Sequence, residues 1–233
     1  MEMNLIPSMK QTLFNSDAAD ILLDYAEIGL DAVLDDGVLK DIPVIGTIVS
    51  FCKLGLNLRE RNLIKQLGVF IQSFNSGTID QKKLDEYRKT LDDPKKAEKE
   101  LGRVILLLDR TLEKQRAQFL GRFYRAYVAG EIKWDMFVEL SEINDLMTVI
   151  DYTFLRGVNL VEIGEMAEDE VVSINSECRY QRLISYGIIT EKPNKNPNEK
   201  VPRFAPSYLG KLILKYTDAL FAKKEKKRGD LLL

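Results

Sequence analysis

The chain has 233 residues, 45% hydrophobic and 30% charged, which suits one large core or two small ones rather than a disordered segment. Thirty-four basic and 36 acidic residues leave a net charge of -2, and there is no histidine. That absence excludes Ser-His-Asp and Cys-His catalysis, imidazole metal ligation and histidine pH switching.

Residues 1–15 read as a short arm. Ser16 is a good N-cap for a helix from Asp17 to about Asp35, with Asp17 and Asp20 near its positive end. Gly37 to Pro43 interrupts it, and Pro43 suits the first turn of a second helix, apolar to Leu58 and amphipathic to about Phe74. Thr78 with Gln81 reads as a capping box for a short charged helix. Asp92-Asp93-Pro94 then opens a helix whose apolar positions Val104, Leu108, Leu112, Phe119 and Phe123 continue to a stop at Gly130. Unbroken, that rod is on the order of 50 Å long. A further helix is expected from Trp134 to Leu155, and another from Asn175 to Tyr186, ending at Gly187. Ile188 to Thr190 and Val201 to Ala205 are strand-like around a turn-rich link, with Pro202 tolerable on an edge. Ser207 caps a last helix holding Leu209, Leu212, Ile213 and Tyr216.

Cys52 and Cys178 lack any paired spacing, as expected of reduced thiols. No basic-then-apolar leader opens the sequence, so export by a signal peptide is not expected. Charge is uneven along the chain. Residues 178–233 hold thirteen Lys+Arg and five Asp+Glu, whereas residues 1–41 hold nine acids and only Lys10 and Lys40. Opposite ends of opposite sign point to different partners.

The first long helix is the most unusual segment. At about 100° per residue, Asp17, Asp20, Asp24, Glu27, Asp31 and Asp35 share one stripe about 80° wide. The other thirteen residues of this span are Ala, Ile, Leu, Val, Gly and Tyr25. Such a helix must bury most of its circumference. A soluble core supplies that burial if neighbouring helices surround the apolar arc. A membrane oligomer supplies it if lipid and sister helices cover the arc while the six acids line a water-filled lumen. Nineteen residues span roughly 28 Å, close to the thickness of a bilayer's hydrocarbon core. A single copy would expose acids to lipid at a cost of about 2.5–3.5 kcal/mol each near the midplane, so only an assembly is admissible there. Carboxylate rings in such a lumen favour cations. Ile42 to Leu58 carries one charge, Lys53, and is followed by Arg59, Arg61 and Lys65. It reads as a buried core helix or as a minimal span with a cytoplasmic C-terminal side.

Motifs for chemistry are mostly absent. There is no phosphate loop, HExxH, CxxC pair or nucleophile elbow. Glu162, Glu165, Glu168, Asp169 and Glu170 are plentiful acids without calcium-loop spacing. No cofactor, metal site or enzymatic activity is expected. Contact with an oligonucleotide or DNA is better supported. Arg179 and Arg182 share a face of the 175–186 helix, with Asn175 and Ser176 near its start. Lys192, Lys195, Lys200 and Arg203 of the hairpin offer phosphate contacts. The basic tail from Lys223 to Arg228 suits phosphates or anionic lipid headgroups.

Two resemblances add to this reading. The segments Arg182 to Ile189 and Phe204 to Gly210, in a helix–hairpin–helix order, resemble the winged-helix superfamily over about the last 60 residues. The run Leu39-Lys40-Asp41-Ile42-Pro43-Val44-Ile45-Gly46, continued by Leu56-Asn57-Leu58-Arg59-Glu60-Arg61, looks like a group of bacterial proteins. The layout of apolar N-terminal segment, helical middle and small C-terminal reader is similar to the abortive infection alpha family. It also looks like the membrane effector of Hailong-type antiphage systems. The resemblance implies a channel-forming effector held by a nucleic-acid signal, and carries no individual residue roles.

The expectation is therefore a mainly α protein in three regions: apolar N-terminal helices at 1–75, a charged helical middle at 76–157 and a winged-helix-like α+β module at 158–233. It would act as a homo-oligomeric, cation-conducting defence effector at the bacterial inner membrane, its C-terminal module cytoplasmic and bound by an oligonucleotide. The alternative is a cytoplasmic winged-helix DNA-binding regulator with a helical dimerisation scaffold.

Overall fold

A computed structural model describes residues 4–15, 18, 21, 38–52, 55–167, 176–193 and 203–229. The fold is mainly helical with one two-stranded sheet among the described residues. Two compact units divide the chain, Met1–Ser141 and Glu142–Leu233.

In the first unit α1 (Ile6–Leu13) precedes a 3-10 turn (Val38–Asp41) and α2 (Pro43–Phe51). Then come α3 (Leu58–Asn75), α4 (Gln81–Thr90), the short α5 (Pro94–Ala97), a π-helical turn (Glu98–Gly102), α6 (Arg103–Arg110) and α7 (Lys114–Val128). The next helix, α8 (Trp134–Leu146), runs across the division.

Several helices are shorter than their apolar patterns suggest. The pattern from Pro43 to Phe74 falls into two helices, α2 ending at Phe51 and α3 starting at Leu58, and Gly55 between them adopts φ 99°. Asn57 then forms a capping box with Glu60 to start α3. Ile42, Val44, Ile45 and Ile48 are buried, and the Thr12 hydroxyl accepts from the Val44 amide at 3.0 Å, tying α2 to α1. No helix among the described residues is long and apolar enough to cross a membrane. The cap of α4 is Asp80, which accepts from the Lys83 amide, in place of the Thr78 box.

The expected 50 Å rod is also two helices. The chain turns extended at Thr111 and Glu113, and α7 packs along α3. Asn62 and Gln66, on one face of α3, donate side-chain hydrogen bonds to the carbonyls of Thr111 (2.8 Å) and Leu112 (3.2 Å). These bonds satisfy backbone groups that a helix would have satisfied internally. The contact of α3 with α7 is close enough that a methyl group on Gly121 would lie 2.6 Å from the Phe70 carbonyl oxygen.

The second unit continues with α9 (Val149–Glu162), α10 (Ser176–Ser185), β1 (Ile189–Lys192), β2 (Arg203–Pro206) and α11 (Tyr208–Gly229). The expected 134–155 helix divides because Thr148 and Asp151 form a capping box that starts α9. Gly187 ends α10 with φ 68°, the left-handed conformation glycine adopts at least cost. The strands are antiparallel, pairing Ile189 with Pro206 and Lys192 with Arg203. The Ser207 hydroxyl donates to the Gly187 carbonyl at 2.6 Å and accepts from the Gly210 amide at 3.1 Å, closing the hairpin onto α11. Helices α3 and α7 pack across the boundary expected near residue 75, and α9 packs on β2 and α11 across the one expected near 157.

Candidate nucleic-acid interface

The arginines singled out on α10 meet one carboxylate. Asp151, in the first turn of α9, is fully buried. Its Oδ2 accepts from the Thr148 amide and hydroxyl, both at 2.8 Å. Its Oδ1 accepts from Arg179 at 3.2 Å and Arg182 at 2.6 Å. The same side chain thus caps its own helix and fastens α10 to it. Burying a carboxylate is costly unless charge and hydrogen bonds compensate, and here two guanidinium groups do so. Between the two arginines Tyr180 lies against Phe154 at 4.8 Å and stacks on Phe204 at 4.2 Å, joining α9, α10 and β2 through aromatic contact.

Arg203 of β2 pairs with Glu162 at 3.6 Å, and Arg156 with Asp218 at 3.6 Å. Lys192, at the end of β1, is exposed. Ser176 is the first residue of α10. Asn175, Lys195 and Lys200 lie outside the described residues, as do Asp17, Asp20, Asp24, Glu27, Asp31 and Asp35. The structure therefore gathers Arg179 and Arg182 at Asp151 and sets Arg203 at Glu162. The basic chain end is offset within the second unit, since residues 142–233 hold fourteen Lys+Arg and fourteen Asp+Glu. Direct base reading by Arg179 or Arg182 requires exchange of this carboxylate for the nucleic acid or use of the remaining guanidinium edges. Asp151 is the residue sequence reasoning missed, although the spacing Thr148-x-x-Asp151 carries a capping-box signal.

The first unit holds a second polar centre with no sequence motif. Glu100, buried in the π-helical turn, accepts from Tyr87 at 2.7 Å and Tyr127 at 2.8 Å. Lys96 approaches it at 3.7 Å, and the Tyr87 and Tyr124 hydroxyls share a further hydrogen bond. Burial, above all, pushes the phenols of Tyr87, Tyr124 and Tyr127 well above the ordinary tyrosine value, with the Glu100 charge adding to the effect. Trp134 and Phe137 complete the aromatic surround. The arrangement satisfies a buried carboxylate and places neutral phenols around it, which is a cohesive polar core rather than a nucleophile poised for attack.

Both cysteines are free, and burial with the neighbouring Glu60 pushes the Cys52 thiol up, away from the reactive thiolate. No group of side chains suited to hold a metal ion occurs among the described residues. Compared with known proteins, the chain matches no protein-family model, no curated protein and no solved structure.

Proposed function

We propose that the chain is a homo-oligomeric, non-enzymatic effector that acts at a membrane, of the kind found in bacterial antiphage abortive infection. Residues 17–35 assemble with their copies so that Asp17, Asp20, Asp24, Glu27, Asp31 and Asp35 face a shared, cation-selective path. Residues 142–233 serve as a winged-helix module that binds an oligonucleotide on the cytoplasmic side. Binding favours one assembly geometry over another and so changes access to that path. The observation that carries the reading is the confinement of six carboxylates to one stripe of an otherwise apolar 19-residue span. The helix, hairpin and helix of α10, β1, β2 and α11 lie in a separate compact unit, which supports assigning recognition to a different part of the chain. In planar bilayers the full chain is expected to pass cations, with selectivity reduced by Asp24→Asn combined with Asp31→Asn. Conduction with unaltered selectivity in that variant would sink the pore-lining assignment.

A second reading is a winged-helix DNA-binding regulator with the helices of the first unit as a dimerisation scaffold. The burial of Ile42, Val44, Ile45 and Ile48 favours it, because those side chains are spent on a protein core rather than turned outward. This reading expects a detergent-independent dimer and salt-sensitive duplex binding.

A further inference from the structure

We infer that one end of the first unit, where α3 begins and α6 gives way to α7, is a docking face for an anionic phospholipid bilayer. The inference deepens the proposed function, resting on its placement of the chain at a membrane but not on the acidic stripe.

Four large apolar side chains are exposed among the described residues of this unit: Leu58 at 88%, Leu112 at 81%, Leu106 at 64% and Phe51 at 44%. Single exposed leucines are ordinary, but Leu58, Leu106 and Leu112 lie where the start of α3 meets the break between α6 and α7. Leu58 opens α3, and its neighbour Arg59 donates from Nε to Asp109 at 2.9 Å, three residues beyond Leu106 on α6. One turn further along α3, Asn62 holds the Thr111 carbonyl beside Leu112.

Charge selects the partner. Residues 55–65 and 106–116 hold six Lys+Arg and three Asp+Glu, a local excess of +3 in a chain of net charge -2. The three acids are engaged: Asp109 by Arg59, Glu113 by Arg116 at 3.0 Å, and Glu60 in the α3 capping box. Exposed Arg61 and Lys114 add positive charge to the rim. Apolar side chains that enter the acyl boundary, ringed by cations that meet phosphate headgroups, form the pattern of an interfacial anchor. A second copy docking through the same face would set one positive rim against another. A nucleic acid would satisfy the cations and leave the leucines without partners, because base stacking needs aromatic or guanidinium faces.

The test is co-sedimentation of the full chain with vesicles of phosphatidylcholine alone or enriched in phosphatidylglycerol. The anionic vesicles are expected to bind at least about tenfold more tightly. Leu58→Asp with Leu112→Asp should weaken binding to both vesicle types by roughly tenfold or more. Arg61→Gln with Lys114→Gln should weaken binding to anionic vesicles alone, by on the order of 25-fold at about fivefold per basic residue. Since all four side chains are exposed, unfolding midpoints should stay close to the parent's. Equal vesicle binding by the leucine variant would overturn the inference, as would a loss of self-association with lipid binding unchanged. The two readings fail separately. Patch-dependent binding without conduction leaves the docking face standing and removes the pore. Conduction with vesicle binding indifferent to Leu58 and Leu112 does the reverse.

Discussion

Asp151 and Arg182 meet at 2.6 Å, and the carboxylate in that contact is fully buried while its other oxygen caps its own helix at Thr148. One side chain therefore joins the start of α9 to the middle of α10. It also decides what the basic helix can offer a ligand, since Arg179 shares the same oxygen.

Asp151→Ala is expected to destabilise the second unit by about 2–4 kcal/mol, the sum of a lost cap and lost charge-assisted hydrogen bonds. Arg182→Ala should cost less, because Arg179 continues to compensate the carboxylate and Arg182 is partly solvated. Urea unfolding followed by circular dichroism, with the double variant closing the cycle, measures the coupling.

Binding and stability separate at Lys192. Its side chain is exposed at the end of β1, so Lys192→Ala should change stability by less than about 0.5 kcal/mol. If the hairpin meets phosphates, the same change weakens oligonucleotide binding and lowers the salt dependence by about one counterion. Fluorescence anisotropy across a salt series reads both; an unchanged slope removes Lys192 from the interface.

The phenol cluster predicts a loss of stability at high pH. The phenols of Tyr87, Tyr124 and Tyr127 are raised above the ordinary value of 10.0 in the folded protein. Above that pH the unfolded chain releases phenolic protons that the folded chain retains, so unfolding becomes more favourable. The stabilisation is complete below about pH 10 and falls by up to about 1.4 kcal/mol per pH unit for each such tyrosine. An alkaline absorbance titration should show these phenols ionising only as the fold is lost, and Tyr124→Phe should flatten the pH slope of the unfolding midpoint. A slope unchanged in that variant would assign the alkaline transition to other groups.

Gly121→Ala tests the closest helix contact. The added methyl would meet the Phe70 carbonyl oxygen at 2.6 Å and the Ser73 side chain at 2.9 Å, so α3 and α7 would have to separate. A loss of about 1–3 kcal/mol is expected, visible as a lowered melting temperature. An alanine accommodated without cost would show that this pair of helices slides freely.

Much of the element order is legible from local signals. Pro43 starts α2, Gly187 ends α10 and Ser207 begins α11, because each acts through its own backbone or through groups three or four residues away. The strands on either side of the turn-rich link pair as their flanking residues suggest. The break at Thr111 to Glu113 has no comparable signal. It exists because Asn62 and Gln66, 49 and 46 residues earlier, satisfy the carbonyls that leave the helix.

The same distinction runs through the candidate sites. Sequence by itself determined that Arg179 and Arg182 lie three residues apart, that the only charged side chains from Asp17 to Asp35 are six acids, and that no histidine chemistry operates. Only the tertiary structure decided that Asp151 receives both arginines and that Glu100 draws Tyr87 and Tyr127 into one buried centre. Helical periodicity follows from bond geometry within a few residues. The partner of a buried charge is set by which distant segments are brought together when apolar surface leaves water, and no local spacing encodes that.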